Sequence, residues 1–120
     1  MAVVADSSPL VYLAALSDFQ YLRELFAPVL IPPAVYREVV DQGQDFPVRK
    51  EVEAALGDWL NVGAIQDQRR AAEVGVTGRL ETGESEAIVL AQEYHADRLL
   101  MDDQRAVVYA RRCGDRKSVV

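Results

Sequence analysis

Short apolar runs alternate along the chain with longer stretches in which apolar residues recur at helical spacing, the pattern of a parallel sheet covered by helices. The first run, Ala2 to Ala5, stops at Asp6-Ser7-Ser8-Pro9. Proline suits the first position of a helix, where its missing N–H is not needed, so Ser8 is the expected cap of a helix from Pro9 through Leu16. A second helix is expected over Tyr21 to Phe26 and a strand over Val29 to Ile31, closed by Pro32 and Pro33. Pro33 then opens a helix, Ala34 to Gln42, that Gly43 ends, and Pro47 opens another through Leu56, before an apolar segment from Leu60 to Val62. Residues 66 to 80 are polar and punctuated by glycine, which predicts only a weak helix and loop. The periodicity returns with a long helix from a cap at Thr82 or Gly83 to about His95, then a strand from Arg98 to Met101 and a last helix from Gln104 to Cys113. The expected fold is α/β, a short parallel sheet of about four strands flanked by helices in three layers.

Composition narrows this picture. With 120 residues, 50% of them hydrophobic and 27% charged, the chain suits one folded domain with a packed core. Nineteen acidic against thirteen basic residues give a formal charge of -6, which argues against a simple basic groove for nucleic acid. The argument weakens if the acids are gathered where divalent cations bind, because the net charge then misstates the local field. The single cysteine, Cys113, cannot form an internal disulfide or a zinc site alone, which suits a reducing compartment. Apolar runs fall far short of the roughly 20 residues that cross a bilayer, so the expectation is a soluble cytoplasmic protein with no membrane partner.

In open α/β sheets ligands bind outside the carboxyl ends of the strands, which draws attention to acids placed there. Asp6 follows the first strand, and Asp102 and Asp103 follow the strand from Arg98. Glu38 lies in the helix after Pro33, and Glu84 and Glu86 lie in the first turns of the helix after Thr82. Gathering carboxylates costs roughly 1 kcal/mol per pair at about 4 Å even in water, and more when buried, unless a cation compensates. Mg²⁺ or Mn²⁺ would do so, since hard cations prefer oxygen ligands and share their remaining positions with water and phosphate oxygens. This is chemistry suited to phosphodiesters.

The same segments carry a family resemblance. VVADSSPLVYLAAL, LIPPAVYREVV, GESEAIVLA and ADRLLMDDQRA resemble, in order, the four acid-bearing motifs of PIN domains, specifically the VapC-like branch. The resemblance implies a PIN-like fold over residues 1–113 and an Mg²⁺- or Mn²⁺-dependent ribonuclease. It places the first acid on Asp6, the second on Glu38, the third on Glu86 with Glu84 as competitor, and the fourth on Asp103 with Asp102 as competitor. It implies that Asp6, Glu86 and Asp103 hold the ion while Glu38 tunes the site or helps a proton leave the water. Ser7 or Ser8 matches the small hydroxyl residue that follows the first acid. The implied substrate is RNA, and the implied partner is a small antitoxin that occludes the site, as in a toxin–antitoxin pair. Relatives continue beyond the point where this chain reads Asp115-Arg116-Lys117-Ser118-Val119-Val120. Residues 114–120 are therefore expected to be an atypical or truncated tail, which would favour association such as a homodimer.

Each residue also has a structural reading. Asp6 could cap the first helix, Glu84 and Glu86 could answer a helix dipole, and one of Asp102 and Asp103 could cap the final helix. Glu38 beside Arg37 would ordinarily be solvated surface. Arg105, Arg111 and Arg112 belong to a basic C-terminal stretch that could contact phosphates or merely face solvent. His95 is the only histidine, which excludes histidine-pair ribonuclease chemistry, and Trp59 reads as a core or edge residue. The first strand is not followed by a G-x-G-x-x-G turn, nor does the chain hold a zinc ligand set, so dehydrogenase and zinc hydrolase readings fall away. A phosphoacceptor domain lacks its central Asp and late Lys. The rival that stands is a catalytically inactive PIN-like module that binds RNA or protein.

Overall fold

Successive residues of a strand point to opposite faces, so strands this apolar need a cover on each side. The computed structural model describes residues 2–42 and 46–102. Its sheet has four parallel strands, β1 (Val3–Ala5), β2 (Val29–Ile31), β3 (Leu60–Val62) and β4 (Arg98–Leu100), in the order β3-β2-β1-β4. Val3 is in register with Val29 on one side and Arg98 on the other, which makes β1 an interior strand. Val3, Ala5, Val29, Ile31 and Leu100 enter one core, whereas Val4, Leu99 and Met101 enter the other. Burying a side chain of valine or leucine size contributes about 1.5–3 kcal/mol, so this alternation fixes the register of each strand.

The first core is covered by α1 (Ser7–Ala15), α2 (Gln20–Phe26), α3 (Pro33–Tyr36) with its π-helical continuation Arg37–Asp41, and α4 (Phe46–Ala55). The second is covered by α5 (Gln68–Gly78) and α6 (Thr82–Glu93). This is the expected α/β architecture. Trp59 belongs to the first core, its ring tilted against Phe19 at a centroid distance of 5.6 Å. Among the described residues no helix is long and apolar enough to cross a membrane.

Several local expectations are corrected. Asp6, not Ser8, is the N-cap of α1, because the strand runs into the helix without a spare residue. Its N–H still donates to Leu100 O at 2.9 Å, in continuation of the pairing between β1 and β4. Glu81, not Thr82 or Gly83, caps α6, through a reciprocal box with Glu84 in which each side chain accepts the other's amide. That helix ends at Glu93, and His95 lies beyond it with φ 50°. The helix after Pro33 is α-helical only to Tyr36 before widening into the π-helical turn. Residues 68–78 form a full helix where a weak one was expected. Gly75 does not break the helix but lies inside it on the side that faces α6, where a Cβ would stand 3.4 Å from Ser85 Oγ. The stop at Gly43, the helix from Gln104 to Cys113 and the 114–120 segment lie outside the described residues.

Candidate active site

Asp6 sits where the carboxyl end of β1 meets the N-terminus of α6. It is 2% exposed, with neighbours β2 and β4 on either side of its strand. Gly83, in the first turn of α6, faces it directly. A Cβ on Gly83 would lie 3.4 Å from each of Asp6 Oδ1, Glu38 Oε2 and Val35 Cγ2. The two carboxylate oxygens therefore flank one point of glycine backbone, no further apart than twice that distance.

The electrostatics of Asp6 follow from this position. Its oxygen Oδ1 is shut off from solvent and has no hydrogen-bond partner among the described residues. Burial disfavours the charged carboxylate, and repulsion from Glu84, Glu38 and Glu81 adds to it, against a backbone hydrogen bond from Ser7 that favours the charge. The result is a carboxyl pushed up from its ordinary 3.8 to about 7. A buried acceptor without a donor costs free energy, and a cation offsets that cost most directly.

The other sequence-predicted residues divide into two groups. Glu38 is brought to Asp6 across Gly83, on the exposed π-helical turn. Glu84 is buried at the start of α6, where its Oε1 accepts the Glu81 N–H at 2.9 Å, and it exerts the strongest repulsion on Asp6 of the surrounding acids. Glu86 is directed elsewhere: Oε1 accepts the Ala34 N–H at 2.9 Å and Oε2 lies 4.0 Å from Arg37 Nη2. Residues two apart on a helix do not share a face, which separates Glu84 from Glu86. Ser7 is buried as the first residue of α1. Asp102 follows β4, beside β1, and is exposed. Asp103 and Arg105 lie outside the described residues.

A cavity of about 410 Å³ opens over this region, lined by Ala34, Arg37, Glu38, Gln42, Glu81, Thr82 and Gly83. A second, of about 380 Å³, shares Thr82 with it and includes Glu86, Ser85, Leu80 and Gly75 in its lining. Sequence reasoning missed Glu81, Gly83 and Arg37. Glu81 and Glu84 stand three apart at the start of an apolar run, the spacing of a capping box, with glutamate in place of the usual serine or threonine. A glycine one residue into that helix was the further signal of close approach.

Among the described residues no three of His, Cys, Asp and Glu stand together in a way that could hold a metal ion. The oxygen-only donors and the partnerless Oδ1 of Asp6 nevertheless suit a hard cation more than any other group. Comparison with known families decides the class: a model described as PIN domain matches residues 2–116. The chain belongs to the PIN-domain family. PIN domains have a nuclease-type function, which agrees with carboxylates gathered at the carboxyl ends of parallel strands. The crystal structure of PAE2754 from Pyrobaculum aerophilum is similar to this PIN domain, with a TM-score of 0.64 at 18% sequence identity. The match covers 91% of this chain and 87% of that one, and at that identity it shows the fold alone. No curated protein matches the sequence.

Proposed function

We propose that this PIN domain is a metal-dependent endoribonuclease that hydrolyses RNA phosphodiester bonds, the toxin of a VapC-like toxin–antitoxin pair. The observation that carries the reading is the buried Oδ1 of Asp6, which has no hydrogen-bond partner among the described residues, near Glu38 at Gly83. Asp6 would hold Mg²⁺ or Mn²⁺ together with Glu84 and with Asp103, which follows the neighbouring strand β4 in the sequence. When bound, the ion supplies an activated water and neutralises charge developing on the phosphate. The backbone hydrogen bond from Ser7 orients the Asp6 carboxylate, and the capping box holds Glu84 in place. Glu38, exposed on the lip of the cavity, accepts a proton at Oε2 from the attacking water. Glu86 is a positioning residue that fixes the start of α3 through the Ala34 amide.

The antitoxin partner rests on the VapC-like order of the four motifs. Exposed Tyr12, Leu16, Tyr21 and Leu25, on and beside α1 and α2, support a protein partner as well. A second reading, an inactive module that binds RNA or protein, is favoured by the formal charge of -6. Cleavage of labelled single-stranded RNA separates the two. With Mg²⁺ or Mn²⁺ the wild type cleaves, EDTA stops it, and Asp6→Asn lowers the rate at least about 100-fold. Folded, metal-loaded protein that leaves every RNA intact moves the assignment to the inactive module.

A further inference from the structure

A site built from acids must still receive an RNA phosphate, which is itself an anion. Of the described residues lining the cavity beside Glu38 and Gly83, Arg37 alone is cationic. Its side chain is 52% exposed, and its contact with Glu86 is long, at 4.0 Å. Glu86 is held independently, because its other oxygen accepts the buried Ala34 N–H at 2.9 Å. The carboxylate is thus a fixed post beside the guanidinium. Among the described residues, one long contact leaves most of the five N–H donors of this arginine available to another acceptor.

The backbone supports the same reading. Arg37 opens the π-helical turn that also carries Glu38, and these consecutive residues line one cavity. Single π-helical turns recur at functional sites, where they re-aim side chains that a regular helix would separate. A guanidinium beside the carboxylates can take a phosphate through two parallel hydrogen bonds. Resting on the nuclease reading above, we infer that Arg37, positioned by Glu86, is a substrate-binding residue that contacts an RNA phosphate next to the acids.

The test is binding of a labelled single-stranded RNA across a salt series, in an Asp6→Asn background so that the RNA stays whole. Arg37→Gln weakens binding about tenfold and lowers the slope of log affinity against log salt by about 0.7, the share of one phosphate contact on a single strand. Arg37→Lys keeps the slope, because the charge remains, and loses part of the affinity with the fork. A merely structural pair with Glu86 would leave the slope unchanged. Equal affinity and equal slope for Arg37→Gln and its parent overturn the assignment of Arg37 alone. RNA bound by none of these proteins, nor by the wild type, overturns the nuclease reading with it.

Discussion

The two ends of α6 hold carboxylates in opposite ways. At its C-terminal end Glu93 accepts the amides of Gln66 and Asp67, each at 2.9 Å, and so ties the segment before α5 to α6. At its N-terminal end Asp6 lies beside Gly83 with one oxygen buried and without a hydrogen-bond partner among the described residues. A carboxylate whose oxygens are both used stabilises the fold. One that is buried and partly unused destabilises it. Glu86 stands between these extremes, with one oxygen on a buried amide and the other only loosely paired.

The largest expected effect concerns the strain at Asp6. Its carboxyl titrates near 7 in the folded protein against an ordinary 3.8, so the folded state binds that proton more tightly than the unfolded chain. The stability this gives is fully present below about pH 4 and is lost as pH rises through 7, to the extent of about 4 kcal/mol. Metal-free wild type therefore melts lower at pH 8 than at pH 5, and Asp6→Asn, neutral throughout, shows a shallower decline. Identical pH profiles for the two proteins would remove the contrast between the ends of α6.

The intermediate effect sharpens the position of Glu86. Glu86→Ala leaves the buried Ala34 N–H without its acceptor and costs about 2 kcal/mol in urea denaturation. Glu86→Gln can still accept that amide and costs less than about 1 kcal/mol. Equal losses would mean that the charge facing Arg37, and not the amide, is what the fold requires. The smallest effect is at Glu93, whose partner amides are exposed and can turn to water. Glu93→Ala costs about 1 kcal/mol and leaves RNA cleavage unchanged, and a loss of cleavage as deep as that of Asp6→Asn would erase the distinction.

Much of this arrangement was legible in the sequence, for reasons that also mark where legibility stopped. The unbroken apolar runs VVA and VLI state that both sheet faces are buried, and Asp6 at a strand end predicts a place in the crevice. The parallel pairing of β4 with β1 then brings Asp102, which follows β4, to the same end of the sheet. The spacing of Glu84 and Glu86 shows that they point apart, but which of them faces Asp6 depends on how α6 is rotated over the sheet. That rotation is set by packing from α3 and α5, which local pattern does not contain. Gly75 misled in the same way, since a glycine packed against a neighbouring helix reads like one that ends its own. Glu81 escaped notice because its role as a cap depends on Glu84 reaching back to it.

The central claim is that the free oxygen of Asp6 is reserved for a divalent cation. Calorimetric titration of Mn²⁺ into wild type and Asp6→Asn at pH 8, with the thermal melt of each followed in parallel, tests it most directly. The account predicts saturable binding and a raised melting temperature for the wild type, with binding at least about tenfold weaker in Asp6→Asn. Equal binding by the two folded proteins, or none by the wild type, would contradict it.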